Sequence, residues 1–190
     1  MSIVVAVANM SRVVVKSDGL VINRDIESKT SQDHEQMIIL NAQCIVGFYG
    51  NIEYCELIVK EYLRLASTAQ VDVNALRPTT VIYDLCEVAK AMNEDKKMVS
   101  FLAAGIENGR IMLLGFTDQD NYEISNFSPE EEGRVTFIIL GSEAIKSGLP
   151  YSKFHTADKN IESSMNKYIR YTATLDSGIN DHTFTRKLKV

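Results

Sequence analysis

The strand-like segments of this chain are apolar on both faces, and no other feature limits its architecture as much. In IVVAVA (3–8), RIMLLGF (110–116) and VTFIIL (135–140), hydrophobic residues follow one another without a break. An antiparallel sheet with one face in water would alternate apolar and polar residues instead. Each sheet must therefore be covered on both sides. Asn108-Gly109, between two such runs, is a two-residue hairpin signal, because both residues tolerate positive φ. The pairing is thus at least partly antiparallel.

The order of segments completes the picture. Strand-like runs occupy 2–9, 12–16, 19–23, 36–41 and 43–50, and two helical stretches follow. In 52–66 the apolar positions Cys55, Ile58, Val59, Tyr62, Leu65 and Ala66 recur at helical spacing. In 79–94, Val81, Ile82, Leu85, Ala89 and Met92 do the same, with Thr79 or Thr80 expected as N-cap after Pro78. Strands return at 99–107, 110–117, 121–127 and 135–141. A helical region covers about 161–175, and a strand follows at 182–190. Doubly covered antiparallel strands, with two groups of helices between strand groups, predict an α+β protein. Its form is a four-layer αββα sandwich: two mostly antiparallel sheets face each other between helix layers. No repeat or linker interrupts the 190 residues, 45% of them hydrophobic, so residues 1–190 are expected to form a single domain.

Charge and composition remove several function classes. The net charge is −5 and no basic cluster could track a phosphate backbone, so no nucleic-acid partner is expected. The apolar run 3–8 lacks preceding positive residues and is too short for a secretory core, and no stretch approaches a membrane span. Cys44, Cys55 and Cys86 follow no metal-ligand spacing and sit in apolar surroundings, as reduced thiols of a cytoplasmic protein would. His34, His155 and His182 are equally dispersed, so neither a metal site nor a cofactor is expected.

The candidate chemistry lies at the start of the chain. A methionine followed by a small residue is a substrate for the cell's aminopeptidase. Removing Met1 would leave Ser2 with a hydroxyl and a free α-amine on adjacent atoms, the smallest nucleophile-and-base pair a protein can build. Downstream stand VVVKSDGLVI, then QCIVGFYG just ahead of a helix, then AAGIENGRIMLLGFT, and finally FIILGSEA. This ordered set resembles the proteasome β-subunits and their bacterial ring-peptidase relatives, the N-terminal-nucleophile (Ntn) hydrolases. That family has the αββα sandwich argued for above.

The resemblance implies a role for each matching residue. Ser2 would be the nucleophile and its α-amine the base. Asp18, sixteen positions later, would be the buried aspartate that orients the site and stabilises positive charge beside the nucleophile. Gly50 would offer its backbone N–H to the oxyanion, and Ser142 would hydrogen-bond the N-terminal amine. Ser177-Gly178 matches the family's C-terminal serine–glycine, although Thr174 falls where the accompanying aspartate should stand, with Asp176 nearby. Plainer readings exist for three of these. Asp18-Gly19 is a hairpin signal, Gly50 suits a strand-to-helix turn, and Ser142 is a good N-cap. The resemblance also implies self-association, as a dimer or ring, and a peptide or small amide substrate.

One family residue is missing. A lysine at the start of the strand preceding GFYG normally supplies a fixed positive charge beside the nucleophile. Counting back from Gly50 puts Gln36 there, and counting forward from Asp18 puts His34 there. Lys29 lies in the polar stretch ESKTSQDHEQ, where a solvated loop is expected. Lys16 shares the face of Asp18 on an alternating strand. Two readings follow: an active site rewired without the lysine, or a catalytically inactive subunit that serves assembly or scaffolding.

Overall fold

Alternation along β1 (Val4–Asn9) builds the middle of the molecule. Odd-numbered Ile3, Val5 and Val7 pack in one hydrophobic cluster, and even-numbered Val4, Ala6 and Ala8 pack in another. Successive strand side chains point to opposite faces, so a strand buried on both has to lie between two layers. Each fully buried valine contributes roughly 1.5–3 kcal/mol. The computed structural model describes residues 2–19, 21–23, 28–31, 34–92, 97–142, 145, 161–180 and 182–190, with 21–23 and 28–31 described by their backbone alone.

β1 sits inside a four-stranded antiparallel sheet of order β10-β1-β2-β11, formed with β2 (Arg12–Asp18), β10 (Thr136–Leu140) and β11 (Thr183–Lys189). The turn between β1 and β2 is closed by Asn9, whose Oδ1 accepts from the N–H groups of Ser11 and Arg12 at 3.0 and 2.9 Å. The facing sheet has the order β5-β6-β7-β8-β9. Its members are β5 (Met37–Asn41), β6 (Cys44–Gly50), β7 (Val99–Glu107), β8 (Arg110–Thr117) and β9 (Ser125–Asn126). Asn108 and Gly109 join β7 to β8 with φ of 50° and 71°, the backbone that the dipeptide signalled.

Three hydrophobic clusters mark the three spaces between four layers. Val4, Ala6, Val13 and Val15 meet Ile45, Leu102 and Leu113 between the sheets. Gly47 lets the sheets approach there, since a Cβ on it would lie 3.0 Å from Val4 Cγ1. Phe48, Phe101 and Ala103 on the outer face of the five-stranded sheet pack on α1 (Ile52–Thr68) and α2 (Pro78–Met92) through Ile58, Tyr62 and Leu85. Val5, Val7 and Val14 pack on α3 (Ile161–Leu175) through Met165, Tyr168 and Ile169. The layers are αββα, as the doubly apolar strands require.

Three local expectations are corrected. The segment 121–127 is not a full strand: residues 118–120 form a 3₁₀ turn, Asn121 and Tyr122 take φ of 53° and 62°, and only Ser125–Asn126 pair. α2 starts at Pro78, so Thr79 and Thr80 lie inside it, and the Thr79 N–H donates to Glu107 Oε2 at 3.2 Å. Proline at a helix start gives up an N–H that had no intrahelical partner. Finally, Asp18-Gly19 turns no hairpin. β3 (Val21–Asn23) pairs with β4 (Ser28–Ser31), and the second neighbour of β2 is β11.

Candidate active site

Loss of the hairpin removes the plain explanation for Asp18. Its side chain is instead built into the sheet end. Asp18 is fully buried. Its Oδ1 accepts from the Ile3 N–H at 2.8 Å, while the Ile3 carbonyl accepts from the Asp18 N–H at 3.1 Å. Its Oδ2 accepts from the Asn180 N–H at 3.3 Å. A carboxylate bonded to two backbone donors is held in one orientation. It braces the residue that follows Ser2.

The register brings a second group to the same place. β1 pairs with β10 at Val4↔Leu140. The paired ladder ends there, and Ser2 and Ser142 each lie two residues beyond that pair on their own segment. The Ser142 hydroxyl donates to Asp176 Oδ2 at 2.8 Å, and Asp176 Oδ1 accepts from the Gly178 N–H at 2.8 Å. Ser2, Ser142 and Asp176 are all buried. A hydroxyl has one proton to give. Because Ser142 gives it to Asp176, its oxygen can only accept from any further partner, such as an ammonium at residue 2. The Ser142 carbonyl also accepts from the Ile145 N–H at 3.0 Å, as an N-cap carbonyl would, so the hydroxyl serves a carboxylate while the backbone starts a turn.

Asp176 is the residue that sequence reasoning set aside. Thr174 is exposed, and its hydroxyl donates to the Tyr171 carbonyl within α3. Ser177 is exposed too, while Gly178 is buried beside Asp176. The partner of Ser142 is therefore two residues past the position first inspected. Only its place immediately after the helical pattern could have signalled it.

Gly50 ends β6 with φ of +121°, and a Cβ there would come 2.1 Å from the Met98 carbonyl oxygen. The backbone alone demands glycine. Asn51 then caps α1, its Oδ1 accepting from the Tyr54 N–H at 3.0 Å.

The four residues weighed for the absent lysine part company. Gln36 is fully buried; its N–H reaches Ser17 Oγ at 3.4 Å and its carbonyl accepts from the Phe48 N–H. Ser17 lies opposite Val4 in the β1–β2 ladder, so Gln36 approaches the same end of the sheet that carries Ser2. Both polar atoms of its side-chain amide are buried without a hydrogen-bond partner. His34 turns to α1, with Nε2 3.1 Å from Glu56 Oε1 at an angle that makes no hydrogen bond. Lys16 is buried, and its Nζ donates to Asn166 Oδ1 on α3 at 2.6 Å. Burial pushes its pKa down, Glu162 raises it and Lys187 lowers it further. The side chain of Lys29 lies outside the described residues.

Other nucleophiles are inert. Burial pushes the thiols of Cys44 and Cys55 up to about 12, and that of Cys86 upward as well, so none is a thiolate at neutral pH. Among the described residues no three metal-ligating side chains cluster, and no helix is long and apolar enough to cross a membrane.

Neither a protein-family model nor a curated protein matches the sequence. Solved structures do match its shape. Eukaryotic HslV from Trypanosoma brucei superposes with a TM-score of 0.72 at 14% identity, over 99% of both chains. A Gly-1 mutant of Anbu from Hyphomicrobium sp. strain MC1 gives 0.76 at 9%, over 100% of this chain and 87% of that one. Anbu from Yersinia bercovieri, an ancestral beta-subunit, gives 0.72 at 13%, over 98% and 81%. The fold is that of the proteasome β-subunits. On this proteasome-subunit sandwich, Ser2, Asp18 and the Ser142–Asp176 pair lie at one end of the four-stranded sheet, where β1 begins. At such identities the likeness speaks for the fold alone, and the chemistry has to be argued from this chain.

Proposed function

We propose that this chain, once Met1 is removed, is an Ntn-type amidohydrolase that cleaves peptide or small amide bonds through Ser2. The observation that supports the reading is the hydrogen bond from buried Ser142 to Asp176, close to the Val4↔Leu140 pair that heads β1. A free α-amine has an unperturbed pKa of about 7.7–8.0, so a useful fraction is neutral near pH 7.5. The neutral amine takes the proton of Ser2 Oγ, directly or through a water, as Oγ attacks the substrate carbonyl carbon. The Gly50 N–H, at the strand-to-helix corner, is assigned the developing oxyanion. The resulting ammonium donates to the Ser142 oxygen, whose own proton is committed to Asp176, and the buried Asp18 carboxylate offsets its charge. Collapse of the tetrahedral intermediate breaks the C–N bond, and the ammonium returns its proton to the leaving amine. Water then cleaves the Ser2 ester by the same route, which restores the hydroxyl and releases the acid.

Intact mass and N-terminal sequencing of the protein from its own host should find Ser2 first, and a peptide epoxyketone should bond to both Oγ and the α-amine. Full-length Met1 in the native protein would end this reading.

Gln36 favours a second reading. A neutral amide at the lysine's place supplies no fixed charge to an alkoxide, as in an inactive subunit kept for assembly. In that case Ser2→Ala would leave every measurable property unchanged. Self-association is part of the proposal under either reading, by analogy with the subunits that share the fold, and sedimentation velocity tests it.

A further inference from the structure

The open side of the sandwich holds a cleft that the hydrolase reading leaves unassigned. β10 and β9 are edge strands of the two sheets, and a cavity of about 160 Å³ lies between β10 and the ends of β7 and β8. Tyr49, Phe116, Ile138 and Leu140 supply the apolar part of its lining. Gly115 keeps it open, since a Cβ there would stand 3.2 Å from Ile138 Cδ1. Gly141, the neighbour of Ser142, belongs to its lining, so the cleft lies near the end of β10 that pairs with the start of β1.

Ser100 and Thr117 add hydroxyls to the lining, joined to each other at 3.0 Å, and the exposed Asp120 and Glu123 add carboxyl groups. Both carboxylates are exposed and have no ion-pair partner among the described residues, unlike Asp118, which is tied to the Val99 N–H at 2.9 Å. Among the described residues no lysine, arginine or histidine lines the cleft. A cleft that combines apolar lining with two exposed carboxylates matches one kind of side chain: an unbranched aliphatic stem with a terminal cation, whose methylenes meet the apolar lining while the charge stays in water beside the carboxylates.

We infer that this cleft is a side-chain subsite for lysine or arginine residues of the substrate. The inference deepens the hydrolase reading by naming the side chain accepted, and it rests on that reading only for where the scissile bond lies. Nα-acetyl-lysine methylamide and its norleucine analogue separate the contributions, because they differ at the terminal cation. Saturation-transfer NMR titration of the Ser2→Ala protein, which cannot turn over, should show the lysine compound binding roughly three- to fivefold tighter, the ratio of a partly exposed ion pair. Asp120→Asn with Glu123→Gln should remove that preference and leave norleucine binding unchanged. Ser125→Trp, at the exposed edge of the cleft, should abolish binding of both compounds. Equal affinity for the two compounds in the parent protein, or binding that survives Ser125→Trp, would overturn the inference. Lysine binding without cleavage of any lysine-containing peptide by the Ser2-terminated protein would overturn the hydrolase reading and leave the subsite standing.

Discussion

The two flanks of Ser2 are built on opposite principles. On the flank within its own sheet the polar groups are wired. Asp18 accepts from Ile3 and Asn180, and Asp176 accepts from Ser142 and Gly178. On the flank that faces the other sheet, Gln36 buries a whole amide with neither atom paired. A buried amide without partners costs about 1–3 kcal/mol, whereas the wired groups return theirs. The difference teaches where a departure from the family pattern can be absorbed. The wired flank is part of the ladder, so losing it would loosen strands. The bare flank holds its amide by packing and not by hydrogen bonds, so a change of that amide breaks no bonded pair.

The comparison can be broken most forcefully at Asp18. Asp18→Ala orphans the Ile3 and Asn180 donors and should cost about 3 kcal/mol in denaturant unfolding, with Asp18→Asn recovering part of it through one retained acceptor. If alanine were neutral, the wiring would be decoration. Asp176→Ala should cost less, about 2 kcal/mol, because it strands one hydroxyl and one N–H. Adding Ser142→Ala should then recover part of that loss, and the double-mutant cycle gives their coupling directly.

At Gln36 the sign should reverse. Gln36→Leu removes the unpaired amide and should stabilise the fold by about 1 kcal/mol. A loss of stability in the same unfolding assay would mean that the amide is engaged and the two flanks are alike. The smallest effect is expected at Lys16. Its folded pKa lies below the unfolded value, so between the two the unfolded chain binds more protons and stability rises with pH. Lys16→Met should therefore be neutral to slightly stabilising at pH 7, and the parent should close the gap as pH climbs toward 10.5. A parent that weakens over that range would show that Lys16 is held as a charge.

Most of the layer plan was legible because strand burial on both faces is written in consecutive residues, as in Val4 to Ala8. The Asn108-Gly109 turn was legible for the same local reason. What failed was non-local. Asp18-Gly19 carries a hairpin signal, but β11, 165 residues further along the ladder from Asp18 to Thr183, takes the place a hairpin partner would have had. Asp176 was passed over because its tie to Ser142 spans 34 residues and leaves no periodic trace. The strand expected over 121–127 failed at Asn121 and Tyr122, where left-handed backbone breaks a sequence that otherwise reads as extended. The neutral Gln36 was visible as a substitution, but its isolation depends on neighbours that no spacing reveals.

The β1–β10 register also sets a rule for how this chain can change in length. Ser142 lies at the end of the sheet where β1 begins only because it is a fixed count of residues past Leu140. One residue inserted within Thr136–Leu140 would advance it by about 3.3 Å and turn every later side chain to the opposite face. The strand thus behaves like a reading frame, in which a single-residue insertion scrambles the end of the sheet that carries Ser142.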